Sequence, residues 1–211
     1  MVPFTVLARS GCTTHANLAL ARTAEFAALR DEPAQRALDE LAVWLLDARA
    51  GRPGDQLQAV ADLAAAHLEA VTLDCAIDDL LLDRVAISGA GHQLLLTIAC
   101  AEAGRRAGLA LGVVAGPDGA FVAHYLLAEP LVADPATGRV LDVRSLSAPL
   151  SLQCSHQAVA RILNRIGERA KRVGHVAWAL RAAELLLAMP FESSAREHLE
   201  SDLRRVRARM N

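Results

Sequence analysis

Aromatic residues make up only 3% of this 211-residue chain, which excludes a core built on stacked rings. Alanine, leucine and valine must fill the interior instead, within a hydrophobic fraction of 53%, and small apolar residues of this kind favour closely packed helices. Lysine is nearly missing too: of 22 basic residues only Lys171 is a lysine, and 24 acidic residues balance them to a net charge of -2. That balance excludes a strongly basic chain, so the arginines by themselves give no sign of nucleic-acid binding. No stretch reaches the roughly 18 apolar residues of a membrane span, and residues 1–19 contain no apolar run like the centre of a signal peptide. The expected location is therefore the cytoplasm, with no membrane or nucleic-acid partner. Cys12, Cys75, Cys100 and Cys154 form no CxxC pair, so a disulfide framework is not expected and the thiols read as reduced. Neither Cys12-Thr13-Thr14-His15 nor Cys154-Ser155-His156 recurs at a ligand-like spacing, so no metal or cofactor is expected.

What the chain does contain is a sequence of helical periods interrupted once by short branched runs. A helix is expected over residues 17–29, a second from Pro33 to the region of Gly51 and Pro53, and a third after an Asp55 cap, carried by Leu57, Val60, Leu63, Ala64 and Leu68. A short helix near residues 80–85 leads into Gly89-Ala90-Gly91, and a longer apolar helix then runs to Arg105 and Arg106 and stops at Gly108. Residues 111–115, 121–127, 131–133 and 140–143 alternate with Gly116-Pro117-Asp118-Gly119, Glu129-Pro130 and Asp134-Pro135-Ala136-Thr137-Gly138, the pattern of antiparallel hairpins. Helix returns over residues 159–170 and 176–189. A three-residue link, Arg172-Val173-Gly174, pairs these as a helical hairpin of tetratricopeptide-like form, and a last helix opens at Ser194 and Glu197.

Several stretches together resemble the SirB-type transglutaminase-like family: Leu81-Leu82-Asp83-Arg84-Val85 running into Gly91, Ala103-Gly104-Arg105-Arg106-Ala107-Gly108-Leu109 with Gly112-Val113, Gly119-Ala120-Phe121-Val122, Asp134-Pro135, and the string from Ala179 to Pro190. The resemblance covers residues 16–190. It implies an α+β, predominantly helical fold: a papain/transglutaminase-like core with a small antiparallel sheet and N-terminal helices over 1–150, followed by a tetratricopeptide-like helical tail over 151–211. It also implies a cysteine nucleophile near the start of the central helix, a strand histidine and an orienting acid. Counted on that resemblance, the nucleophile position falls on Leu95, the histidine position on Ala120 and the acid position on Asp134. Only the acid is retained.

Other residues offer chemistry of their own. His124 shares a strand face with Ala120, and a turn at Glu129-Pro130 would set it almost opposite Asp134 as a base and its orienter. An ordinary hairpin histidine is the plainer reading. His92-Gln93 opens the central helix, where backbone N–H groups would meet an anion or a substrate carbonyl, although Gly89 and Gly91 read equally as turn punctuation. Cys100 lies too deep in that helix for its dipole to act and reads as a core thiol. Cys154, before Ser155 and His156, is the one thiol placed for activation by an imidazole and helix amides, with Ser155 as a simple N-cap the blander account. Arg204, Arg205, Arg207 and Arg209 read as a solvated face paired with Glu197, Glu200 and Asp202. The expectation is a non-catalytic binding or regulatory module with a protein or peptide partner, reached through the helices around Trp178, and with room for a small molecule in the cleft. The alternative is an enzyme that reuses the cleft through His124, Asp134 and His92, or a relocated site at Cys154 or Cys100.

Overall fold

A computed structural model describes residues 2–11, 13–71 and 75–190. In chain order the elements are α1 (Phe4–Leu7), α2 (His15–Thr23), α3 (Asp31–Val43), α4 (Pro53–His67), β1 (Glu69–Ala70), α5 (Leu82–Ser88), β2 (Ala90–Gly91), α6 (Gln93–Ala107), β3 (Leu111–Gly116), β4 (Gly119–His124), β5 (Leu131–Asp134), β6 (Arg139–Asp142), β7 (Ser151–Leu152), α7 (Ser155–Arg172) and α8 (Val176–Leu187). The fold is mixed α+β and mostly helical, with one small antiparallel sheet. The expected last helix at Ser194, and the arginines after it, lie outside the described residues, as does Cys12.

Local chemistry sets most of the boundaries. Pro53 opens α4, where a missing N–H costs nothing, and Asp55 sits three residues past the cap rather than at it, accepting the Arg52 N–H at 3.3 Å. Gly108, at φ 83°, ends α6 in the left-handed conformation that an L side chain resists. Thr14 caps α2 by accepting the Asn17 N–H at 3.1 Å. Ser155 is the first helical residue of α7 rather than its cap.

The contacts divide the chain into two compact units: residues 30–154, and a second made of residues 1–29 together with residues 155–211. This division groups the first 29 residues with the tail rather than with the strands. Its physical basis is the packing of α2 on α7. Within that unit α7 packs on α8 across a connection in which Gly174 takes φ 74°, Phe26 meets Trp178 at a ring distance of 5.2 Å, and Arg181 pairs with both Glu25 and Glu184.

In the unit of residues 30–154 the five-stranded sheet runs in the order β6-β5-β4-β3-β7, antiparallel at every junction. The four longer strands fall on the four short branched runs read from the sequence. The two-residue β7 edge strand does not, because Ser151-Leu152 has no period of its own and is held by pairing with Ala115 and Val114. α6 lies against β3 and β4, α4 against β4, β5 and β6, and α3 against α5 and α6. A separate parallel pairing of β1 with β2 carries the chain to the start of α6.

Candidate functional site

The start of α6 and the facing ends of β4 and β5 hold most of the chemistry-bearing residues. Gly91 is demanded here by close approach: a Cβ at that position would lie 2.3 Å from a Val85 methyl group and 3.1 Å from the Asp79 carbonyl oxygen. His92 follows as the N-cap of α6. Its backbone N–H donates to the Asp79 carbonyl at 2.9 Å, and its Nδ1 accepts the Leu94 N–H at 3.2 Å. The imidazole is thus already engaged in capping the helix that sequence reasoning left open to an anion.

Gln93, the first residue of α6, reaches across to the sheet. Its Nε2 donates to Asp134 Oδ1 at 3.0 Å, and its amide lies so close to Gly119 that a Cβ there would fall 2.5 Å from Gln93 Oε1. Gly119 has φ 142°, which independently favours glycine. Asp134 also accepts the Ala136 N–H at 2.9 Å and the Thr137 hydroxyl at 2.8 Å, so its buried carboxylate has three donors. Thr97 Oγ1 lies 3.0 Å from the carbonyl oxygens of both Gln93 and Ala120, tying α6 to β4. Leu95 is fully buried and Ala120 nearly so. The Gln93–Asp134 link joins residues 41 apart, and no local pattern announces it. The one sequence signal is Gly119 itself, a glycine kept in a strand because something approaches its backbone.

His124 and Asp134 are not brought together. β4 and β5 pair with Val122 opposite Ala133, and that register sets Leu131 opposite His124 and Phe121 opposite Asp134. The expected base and orienter pair is corrected accordingly. His124 Nε2 instead lies 2.8 Å from Gln56 Oε1. The Gln56 amide nitrogen donates to the carbonyls of Arg49 and Gly51 at 3.2 and 3.0 Å, which turns Oε1 toward the histidine. Oε1 can only accept, so Nε2 must carry the proton, and Nδ1 is then free to accept the Leu126 N–H at 3.2 Å. The neutral imidazole satisfies every partner. Burial pushes the His124 pKa below its ordinary value, because a second proton would be poorly solvated and would displace the Leu126 N–H.

The unfolded chain binds the histidine proton more readily than the folded one, so the stabilisation from neutral His124 is fully present above the ordinary histidine range and is lost as pH falls through the lowered folded value. His124→Ala is expected to cost about 2 kcal/mol near pH 7 and to flatten the stability profile between about pH 7 and pH 5, read by urea unfolding. An unchanged slope in that interval would rule out this titration.

The thiols differ among themselves. Cys100 is fully buried, and burial pushes its pKa up to about 12, so it cannot supply a thiolate near neutral pH. Cys75 is half-buried and donates to the Val71 carbonyl at 3.2 Å. Cys154 is exposed just before α7, and His156 Nε2 lies 3.1 Å from the Ala8 carbonyl oxygen. Among the described residues no group of three His, Cys, Asp or Glu side chains could hold a metal ion, and no described helix is long and apolar enough to cross a membrane. No protein-family model, curated protein or solved structure matches the chain.

Proposed function

We propose that the chain is a non-catalytic binding or regulatory module of transglutaminase-like form that acts through a protein or peptide partner. The observation that carries this reading is Gln93. It stands at the start of the central helix, against Gly119 and hydrogen-bonded to Asp134, and an amide neither titrates nor attacks a carbonyl. Leu95, at the position where the resemblance places a nucleophile, is fully buried. The retained acid therefore has a structural partner in place of an imidazole. His124, committed to Gln56 and Leu126, supports no acid–base reading in its stead.

The test is site-resolved alkylation of the folded protein with iodoacetamide at pH 6 and pH 8, read by peptide mass spectrometry. Cys154 is expected to label in the folded state and Cys100 only after unfolding, with no cysteine reacting rapidly at pH 6. Rapid labelling of any cysteine at pH 6 would restore a thiol enzyme at that position and end this reading.

A further inference from the structure

The surface at the C-terminal end of α3 carries features that the α6 site does not use. Val43 and Trp44 are 64% and 63% exposed, and Leu46 is half-exposed, while Leu41, Ala42 and Leu45 between and beside them are buried. Trp44 is held in place by His67 at the end of α4, with ring centroids 4.5 Å apart and planes tilted by 51°. Its indole thus packs against one ring and otherwise remains largely exposed. By contrast Trp178 is half-buried against Phe26 and His175 and serves packing.

Two carboxylates flank the indole along the chain. Glu40 precedes Trp44 by one helical turn. Asp47 follows it by three residues, where the chain tightens through the Leu45 and Leu46 N–H bonds to the carbonyls of Ala42 and Val43, so the three share a face. Both carboxylates are exposed, and neither forms an ion pair among the described residues, unlike their neighbours Glu32 with Arg36 and Asp39 with Arg106. An exposed indole between two uncommitted carboxylates attracts a cation on its face and at both flanks. A guanidinium suits this best, since it stacks on the ring and donates in its own plane to the carboxylates. Val43 and Leu46 add apolar area beside it. The same carboxylates repel phosphate, which disfavours nucleic acid or an anionic lipid surface as the occupant.

We infer that Glu40, Trp44 and Asp47, with Val43 and Leu46, form a docking site for an arginine-bearing peptide segment of a partner protein. The inference rests on the binding-module reading and gives that module a partner class and a site. The experiment is selection of a random-peptide phage library on the immobilised full chain, beside Trp44→Ala and a Glu40→Gln/Asp47→Asn variant. Each variant's thermal unfolding is measured first, because exposed positions should leave it unchanged. Peptides rich in arginine next to aliphatic residues are expected, with affinity reduced roughly tenfold or more by either variant and weakened by salt. No enrichment over the starting library, or the same peptides retained by Trp44→Ala, overturns the site. In the latter case peptide binding itself persists, so the module reading stands while this surface falls. A rapidly alkylated cysteine with normal Trp44-dependent peptide selection would do the reverse.

Discussion

Replacing Asp83 with alanine lowers stability by about 3–5 kcal/mol, a large part of what holds a domain of this size together. The carboxylate is fully buried. One oxygen accepts the Arg30 N–H at 3.0 Å and Arg84 Nη1 at 2.7 Å, and the other accepts the Arg84 N–H at 2.8 Å. Arg30 is the residue from which α3 starts, so one side chain fixes the start of α3 and of α5 together. Its loss leaves a largely buried guanidinium, 18% exposed, without this acidic partner. Asp83→Asn keeps the shape and gives up the charge, and is expected to fall between. Urea unfolding with an unchanged slope reads both, and a loss under about 1 kcal/mol for the alanine variant would contradict the account.

Arg106→Ala is expected to cost about 2–4 kcal/mol and to make the protein sensitive to acid at a higher pH. Arg106 Nε donates to Glu102 at 2.9 Å, Nη1 to Asp39 at 2.6 Å and to the Gln35 carbonyl at 3.0 Å, and Nη2 to the Gln35 side chain at 2.5 Å. It fastens α6 to α3. Burial by itself would raise the Glu102 pKa, but the hydrogen bonds and charges of Arg105 and Arg106 outweigh it and leave the carboxyl below its ordinary value. The stabilisation from Glu102 is therefore complete above the ordinary glutamate range and lost as pH falls through the lowered folded value. Without Arg106 the burial remains and one of two counter-charges is gone, so the loss begins at higher pH. Unfolding measured in steps from pH 7 down to about pH 3 checks this, and coincident pH profiles for the two proteins would refute it.

Much of the fold was legible because it is written locally. Gly108 announced the end of α6, the turns at 116–119 and 134–138 separated the branched runs that form the strands, and the short link at 172–174 forced α7 and α8 together. Asp55 was recognised as a capping residue but placed at the wrong position, since a cap and an N3 carboxylate leave similar traces. The candidate site was less legible. His124 and Asp134 lie on adjacent strands, and only the register decides whether they meet. A shift of a few residues separates them, and turn residues alone do not fix it. The amides that complete the picture, Gln56 for His124 and Gln93 for Asp134, are 68 and 41 residues away in sequence. Such partners leave no periodic mark, and a glutamine on a helix reads as a solvated side chain. The joining of residues 1–29 to the tail leaves no mark for the same reason: α2 is buried over nearly all of its length, and its composition does not name the helix it meets.

That joining has a consequence for how the protein is made. Residues 30–154 are contiguous, so all the partners of their sheet and helices have been synthesised by the time β7 leaves the ribosome, and this unit can fold as soon as it emerges. α1 and α2 precede that unit in the chain, yet α7, on which α2 packs, is encoded more than a hundred residues after α2. The apolar residues of α2 that are buried in the finished protein, Leu18 and Leu20 among them, meet α7 only once it has been made. The order of translation thus runs against the order of assembly for α2, and a stall before α7 would leave it as the exposed, adhesive part of the nascent chain.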